Sequence, residues 1–379
     1  MVSTMVRGSC IPVLGVIMAL LLTGCGCGVS EDETIRDEVF LGVNFFAWYG
    51  FEHGTGKSTG GLGSEHWNSN AINQNPIYDP IASMPDLGFY ASDDPAVIAQ
   101  QVAWMRQVGI NVIMVNWWGW GDDDLDGNQD NVGRAAINRA TTALFDYIET
   151  LGGPIKAYIQ SENWMIPEEQ WDARQPVYVD PVKSQMVWDY VYTNYASKYP
   201  NSYFQWQGKP LFVSGAPHVL AADSQSRFTY KKIWPILFSE TEIHQGEMDW
   251  SWVDPAAVSG GKDYNEEVIS QDGVVCITNR RDQYWGYLLG MVEGTPERRD
   301  QFLEDGLGDT NWQLVFEAAA DVSLVMVQTW NDYHEMSFIE PAGVGRLGSK
   351  DPVDLLDKTK FYWQRFKEGK PFSDYHTSK

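Results

Sequence analysis

Ile110-Asn111-Val112-Ile113-Met114-Val115-Asn116-Trp117-Trp118 runs from a β-branched apolar core into two tryptophans. A nearly unbroken apolar run of this length, bounded by turn residues, reads as a strand buried on both faces. Just before it, Asp94-Pro95 predicts a helix over 95–108, with Asp93 or Asp94 as cap and Gly109 as its end. The same unit recurs in both directions. Further strands are predicted at 39–49, 155–162, 210–215, 248–253, 273–278 and 322–327, and helices over 134–151, 182–198, 227–238, 312–320 and 355–366. Apolar strands alternating with helices call for a parallel sheet covered on both faces. Aromatic and polar residues gather at the C-terminal ends of the strands: Trp48 and Tyr49, Trp117 and Trp118, Glu162, Asp332 and Glu335. That is where a (β/α)8 barrel keeps its active site. A doubly wound sheet would carry Gly-x-Gly-x-x-Gly after its first strand, and none follows here. The predicted fold is therefore α/β, a (β/α)8 TIM barrel forming a single catalytic domain over 39–370, with 371–379 as a C-terminal tail. Seven strands are read from pattern, and the eighth is expected within 337–350.

The chemistry concentrates at 327–341, Val-Gln-Thr-Trp-Asn-Asp-Tyr-His-Glu-Met-Ser-Phe-Ile-Glu-Pro. Asn331, Asp332, His334 and Glu335 arrive together at the end of an apolar run, interleaved with Trp330 and Tyr333. Two carboxylates this close push each other's pKa values apart, which is what a paired acid and base require. A merely solvated acidic loop has no need of Trp330, Tyr333 and Phe338 beside the charges.

This stretch resembles the signature of glycoside hydrolase family 99, the endo-α-mannosidases, which runs Asn-Glu-Trp-His-Glu-Gly-Thr-Gln-Ile-Glu. It is also similar to the Thr-Trp-Asn-Asp-Tyr-Gly-Glu-Ser signature of family 71, the α-1,3-glucanases. The 39–49 strand resembles the first strand of family 99, Glu65-His66-Trp67 resembles a His-Trp pair after it, and 87–92 resembles a Gly-x-Tyr-Ser segment. The resemblance implies a glycoside hydrolase with Glu335 as general acid and Asp332 as base. It makes Glu162 a substrate-contacting glutamate, and His334 and Asn331 residues that orient the carboxylates or bind hydroxyls. Tyr49, Trp117, Trp118 and Tyr284 are the candidate sugar contacts. In family 99 the base takes the proton of the sugar's own 2-hydroxyl, with retention. Here that position holds Asp, one methylene shorter, as in family 71, where a water activated by the base would give inversion. The implied substrate is an α-linked mannan-like or glucan polysaccharide. The alternative is a non-catalytic glycan-binding surface lipoprotein on the same barrel. Two clustered carboxylates speak against it, since a binding site gains little from them.

Composition agrees with a glycan ligand. The 379 residues carry 27 Lys and Arg against 51 Asp and Glu, a net charge of −24, which argues against nucleic acid and anionic polymers as partners. The chain holds 17 Trp, more than core packing usually takes, and aromatic faces stack on sugar rings. A monomer is expected.

At the N-terminus, Arg7, the apolar run 11–22 and Leu22-Thr23-Gly24-Cys25 resemble a lipoprotein signal peptide over 1–24. The expectation is a protein lipidated at Cys25 and attached to the membrane only through that lipid. The acidic segment 25–38 would serve as a tether. The place would be the bacterial cell envelope, at the outer membrane, facing the periplasm or the surface. Beyond the leader and tether only Cys276 remains, so there is no disulfide framework.

The loop 122–130 carries a second pattern. Asp122, Asp124, Asp126 and Asp130, with Gly127 at the sharp turn, match positions 1, 3, 5, 9 and 6 of a calcium loop. Position 12 is Gly133 instead of the bidentate Glu. The match is partial, and a structural calcium ion and a solvated acidic loop both remain open. No cofactor is required for the chemistry.

Overall fold

The computed structural model describes residues 39–52, 55–61, 63–67, 83–121, 131–162, 177–215, 218–235, 249–252, 272–278, 307–333, 337–344 and 355–375. Eight parallel strands close into a barrel: β1 Phe40–Phe46, β2 Val112–Trp117, β3 Lys156–Ser161, β4 Lys209–Gly215, β5 Thr229–Pro235, β6 Trp250–Trp252, β7 Val274–Thr278 and β8 Leu324–Gln328. Each pairs with the next in chain order, and β8 returns to β1 with Gly42 beside Met326 and Val43 beside Val327. The fold is the expected (β/α)8 barrel.

Two strands fall elsewhere than the sequence pattern put them. The eighth strand is 324–328 itself, so the motif at 327–341 leaves the last strand and not the seventh. The missing one is β5, within 227–238, which was expected to be helical. Its Thr-Tyr-Lys-Lys-Ile-Trp-Pro sequence lacks alternation, and its Lys231 is held by Asp272, from later in the chain, at 2.5 Å. Partners placed by the tertiary fold override the local pattern. Of 337–350, residues Ala342–Val344 pair antiparallel with Ser83–Pro85, outside the barrel.

Among the described residues, α1 Pro95–Val108, α2 Asn131–Thr150, α3 Pro181–Val191, α4 Leu307–Glu317 and α5 Leu355–Lys367 are the α-helices. Asp94 caps α1 by accepting from the Ala96 N–H, and Gly109 ends it at φ 91°. Asp180 does the same for α3 through the N–H groups of Val182 and Lys183. The packed chain runs past 370: Phe372 stacks on Tyr362, and the Tyr375 N–H donates to the Tyr362 hydroxyl at 3.0 Å.

Strand register sorts the side chains. Side chains alternate across a strand, and Phe46, Asn116 and Gln160 lie side by side on β1, β2 and β3. With Gly42 and Asn44 they share the inner face, where Tyr158 points its hydroxyl at the Met326 sulfur. Val43, Val115 and Trp117 therefore face the helices. No helix among the described residues is long and apolar enough to cross a membrane.

Candidate active site

The C-terminal end of the barrel carries a polar cluster on an aromatic wall. Glu162 follows β3, and its Oε1 accepts from Asn116 Nδ2 and Gln160 Nε2, both at 2.7 Å. Asn116 Oδ1 in turn accepts from Trp118 Nε1 at 2.5 Å. The strand alternation makes this chain possible, since 116, 118, 160 and 162 share one face. Gly215 closes the cluster from β4: a Cβ there would lie 2.7 Å from Gln160 Nε2 and 3.2 Å from Glu162 Oε2. Asn44 Oδ1 and Gln160 Oε1 are buried with no partner among the described residues.

The wall is Trp48, stacked on His66 at 4.4 Å and edge-on to Trp118 at 5.8 Å. Trp48, His66 and Trp118 are each half-buried.

Asp332 stands across the seam between β1 and β8. The turn that carries it is pinned from several directions. The Asp332 N–H donates to Thr329 Oγ1 at 2.8 Å. Asn331, just before it, accepts from the Phe46 N–H and donates to the Phe46 carbonyl, both at 2.9 Å. The Tyr49 hydroxyl donates to the Asn331 carbonyl at 2.7 Å and accepts from the Tyr333 N–H at 3.0 Å. Burial pushes the Tyr49 phenol well above its ordinary pKa, and the Asp332 charge beside it adds to the rise. Asp332 itself is 2% exposed.

Beneath the turn lies Glu340, to which the sequence reading gave no role. It is fully buried and accepts from Gln101 Nε2 at 2.7 Å, the Tyr90 hydroxyl at 2.8 Å and the Tyr333 hydroxyl at 2.9 Å. Burial pushes its carboxyl up to about 7, against the opposing pull of those donors. The signal for it was the Ile339-Glu340 pair that closes the 327–341 motif, which matches the final Ile-Glu of the family 99 signature.

Asp332, Asn331, Trp118 and Glu162 thus lie at one end of the barrel, with Asn116, Gln160, Trp48 and His66 beside them. Two expected sugar contacts are placed differently. Trp117 is fully buried on the outer face, where its Nε1 donates to Asn138 at 3.0 Å and its ring stacks on Tyr190. It belongs to the layer between sheet and helices. Tyr49 is 1% exposed, stacked on Trp67 at 4.0 Å, and its hydroxyl holds the Asn331–Tyr333 backbone. Glu335, His334, Tyr284, Cys25 and the four aspartates Asp122, Asp124, Asp126 and Asp130 lie outside the described residues. Among the described residues no group of three or more His, Cys, Asp or Glu could hold a metal.

No protein-family model matches the chain, and no curated protein matches it in sequence. Solved structures do match. Two structures of the GH99 endo-α-mannosidase from Bacteroides thetaiotaomicron, one with BIS-TRIS-propane, superpose with TM-scores of 0.56 and 0.55 at 17% identity. Each match covers 89% of this chain and 99% of that one. The fold is related to that of family 99. A glycoside hydrolase-like protein follows with a TM-score of 0.50 at 12% identity, over 88% of this chain and 95% of that one. At these identities the likeness speaks for the barrel, and the chemistry has to be argued from the residues.

Proposed function

We propose that the protein is a glycoside hydrolase acting on an α-linked glycan, mannan-like or glucan, with Asp332 and Glu335 as its carboxylate pair. The observation that carries the reading is the buried carboxylate of Asp332, borne on a pinned turn at the C-terminal end of the barrel that also carries Glu162, Asn116, Gln160, Trp48 and Trp118. A carboxylate kept out of water costs stability, and chemistry is the usual reason for keeping one at a barrel mouth.

In this mechanism Glu335 protonates the glycosidic oxygen as the bond to the anomeric carbon breaks. Asp332 takes a proton on the other side of the reaction, from the sugar's 2-hydroxyl or from an attacking water. The first route gives an anhydro-sugar and retention, the second inversion. Glu162 accepts from a sugar hydroxyl, Trp118 and Trp48 offer ring faces, and Asn331 holds the turn. His334 orients Glu335, and Tyr284 adds a further contact. The protein is a monomer tethered to the outer membrane by lipid on Cys25, with 25–38 as the tether. Calcium at Asp122, Asp124, Asp126 and Asp130 would be structural, and a calcium-dependent thermal shift abolished by EGTA tests that.

The test of the activity is product release from a panel of α-mannans and α-1,3-glucans, with Asp332→Asn and Glu335→Gln beside the wild type. Cleavage lost in both variants supports the reading, and NMR of the first-formed anomer assigns retention or inversion. Glycan binding without cleavage, unchanged in both variants, would replace it with a lipid-anchored binding protein.

A further inference from the structure

We propose that Glu340 is a positioning residue of this site: its carboxylate gathers Tyr90, Tyr333 and Gln101 beneath the turn that carries Asp332 and so sets where that carboxylate stands. The inference rests on the reading of Asp332 as a catalytic group.

The three donors come from separate parts of the chain. Tyr90 lies in the loop before α1, Gln101 is on the inner face of α1, and Tyr333 follows Asp332 directly. All three are neutral, so the carboxylate sits fully buried among dipoles. Such a group adds nothing to stability that an apolar side chain of similar volume would not. Burial holds its pKa near 7, so at neutral pH the folded chain bears a cost for it. Gln101 Oε1 is left buried without a partner among the described residues, which is the price of aiming its Nε2 at Glu340.

What the arrangement achieves is control over both neighbours of Asp332. Tyr333 is held at its hydroxyl by Glu340 and at its N–H by Tyr49. Asn331 is held through Tyr90, whose hydroxyl accepts from Asn331 Nδ2 at 3.1 Å while donating to Glu340. One carboxylate therefore fixes residues 331 and 333, and the side chain of 332 has its origin fixed between them. Among the described residues the titratable groups facing Glu340 are Tyr90 and Tyr333, with Tyr49 also acting on their phenols; burial pushes all three phenols well above the ordinary value, so they donate throughout the physiological range. Placing a reacting group to within a fraction of an ångström is worth about 10²-fold in rate.

The test compares kcat and KM of Glu340→Gln, Tyr333→Phe, Tyr90→Phe and Asp332→Asn with the wild type, on an α-glycan that the wild type cleaves and well below each melting temperature. Glu340→Gln is expected to lose kcat by about 10²-fold, with KM within about threefold, because the turn moves while the sugar-binding residues of β2 and β3 do not. The two phenylalanine variants lose several-fold each. A scaffold role alone would lower the melting temperature and leave kcat intact, and that result overturns the inference. Should Glu340→Gln not fold, unchanged kcat in both phenylalanine variants overturns it equally. An inactive Asp332→Asn beside a fully active Glu340→Gln sinks only the role of Glu340. A fully active Asp332→Asn, or a wild type that cleaves no α-glycan, sinks the catalytic reading first and this inference with it.

Discussion

The side chain of Asn331 and the backbone of Phe46 exchange a pair of hydrogen bonds, N–H to Oδ1 and Nδ2–H to carbonyl, each 2.9 Å long. The amide acts as one more residue of sheet at the top of β1, just where the strand's own ladder to β8 has ended. A carboxylate in its place would set a second acceptor against the Phe46 carbonyl in a site closed to water. Asn331→Asp is expected to destabilise the fold by about 3 kcal/mol, read from urea denaturation, since it leaves buried groups opposed and unpaired. A change under about 1 kcal/mol would mean that the pair is incidental.

Gly215 keeps space for Glu162. Because a Cβ there would press on Gln160 Nε2 and the Glu162 oxygens, Gly215→Ala should push the Glu162 carboxylate from its place. Gly215 needs no unusual backbone angle, so the fold should tolerate the change. The expected outcome is KM for the glycan raised about tenfold with a nearly unaltered melt. A large loss of stability with unchanged KM would put the contact in the scaffold.

Trp117 and Trp118 make opposite predictions although they are neighbours. Trp117→Phe removes the hydrogen bond to Asn138 and part of the stack on Tyr190, and should lower stability by about 1–3 kcal/mol with kcat and KM preserved. Trp118→Phe frees Asn116 Oδ1 and thins the wall beside Trp48, so KM should rise. Differential scanning fluorimetry with steady-state kinetics separates them, and a Trp117→Phe that raises KM would return that ring to the sugar.

Two buried groups bend the pH dependence of stability in opposite senses. Between about 4.5 and about 7 the unfolded chain releases the proton of Glu340 and the folded chain keeps it, so stability falls as pH rises. Burial lowers the His218 imidazole to about 3, so between 6.5 and that value the unfolded chain is protonated and the folded one is not. Stability then falls as pH falls. The two slopes oppose each other from pH 4.5 to 6.5. Removing Glu340 by Glu340→Gln exposes the His218 slope. The stability of wild type relative to Glu340→Gln should drop by about 1.4 kcal/mol per pH unit from pH 4.5 to 7, and be flat above. A flat difference across that range would mean that Glu340 is ionised throughout.

The barrel was legible in the sequence because most of its strands are largely apolar and alternate with helices, and the first two run into aromatics. β5 was not, since its Lys-Lys pair breaks the apolar run and Lys231 owes its place to Asp272, from later in the chain. The end of the barrel that bears the site was legible for the same reason as the strands. The facing of single residues follows from the same pattern: a period of two sets Trp117 apart from Asn116 and Trp118. Tyr49 and Glu340 show where sequence stops. Whether a tyrosine offers its ring to a sugar or its hydroxyl to a buried turn depends on Asn331 and Tyr333, some 280 residues away.

Closing the ring between β1 and β8 has a consequence in time. The carboxylate lies on one lip of that seam and the strand that braces it on the other, so neither half of the chain holds a partly working site. Under the proposed chemistry, a growing polypeptide stays inert until its last strand has been made and has found its first. Under that chemistry, an agent that opens that one joint would stop cleavage without having to melt the rest of the barrel.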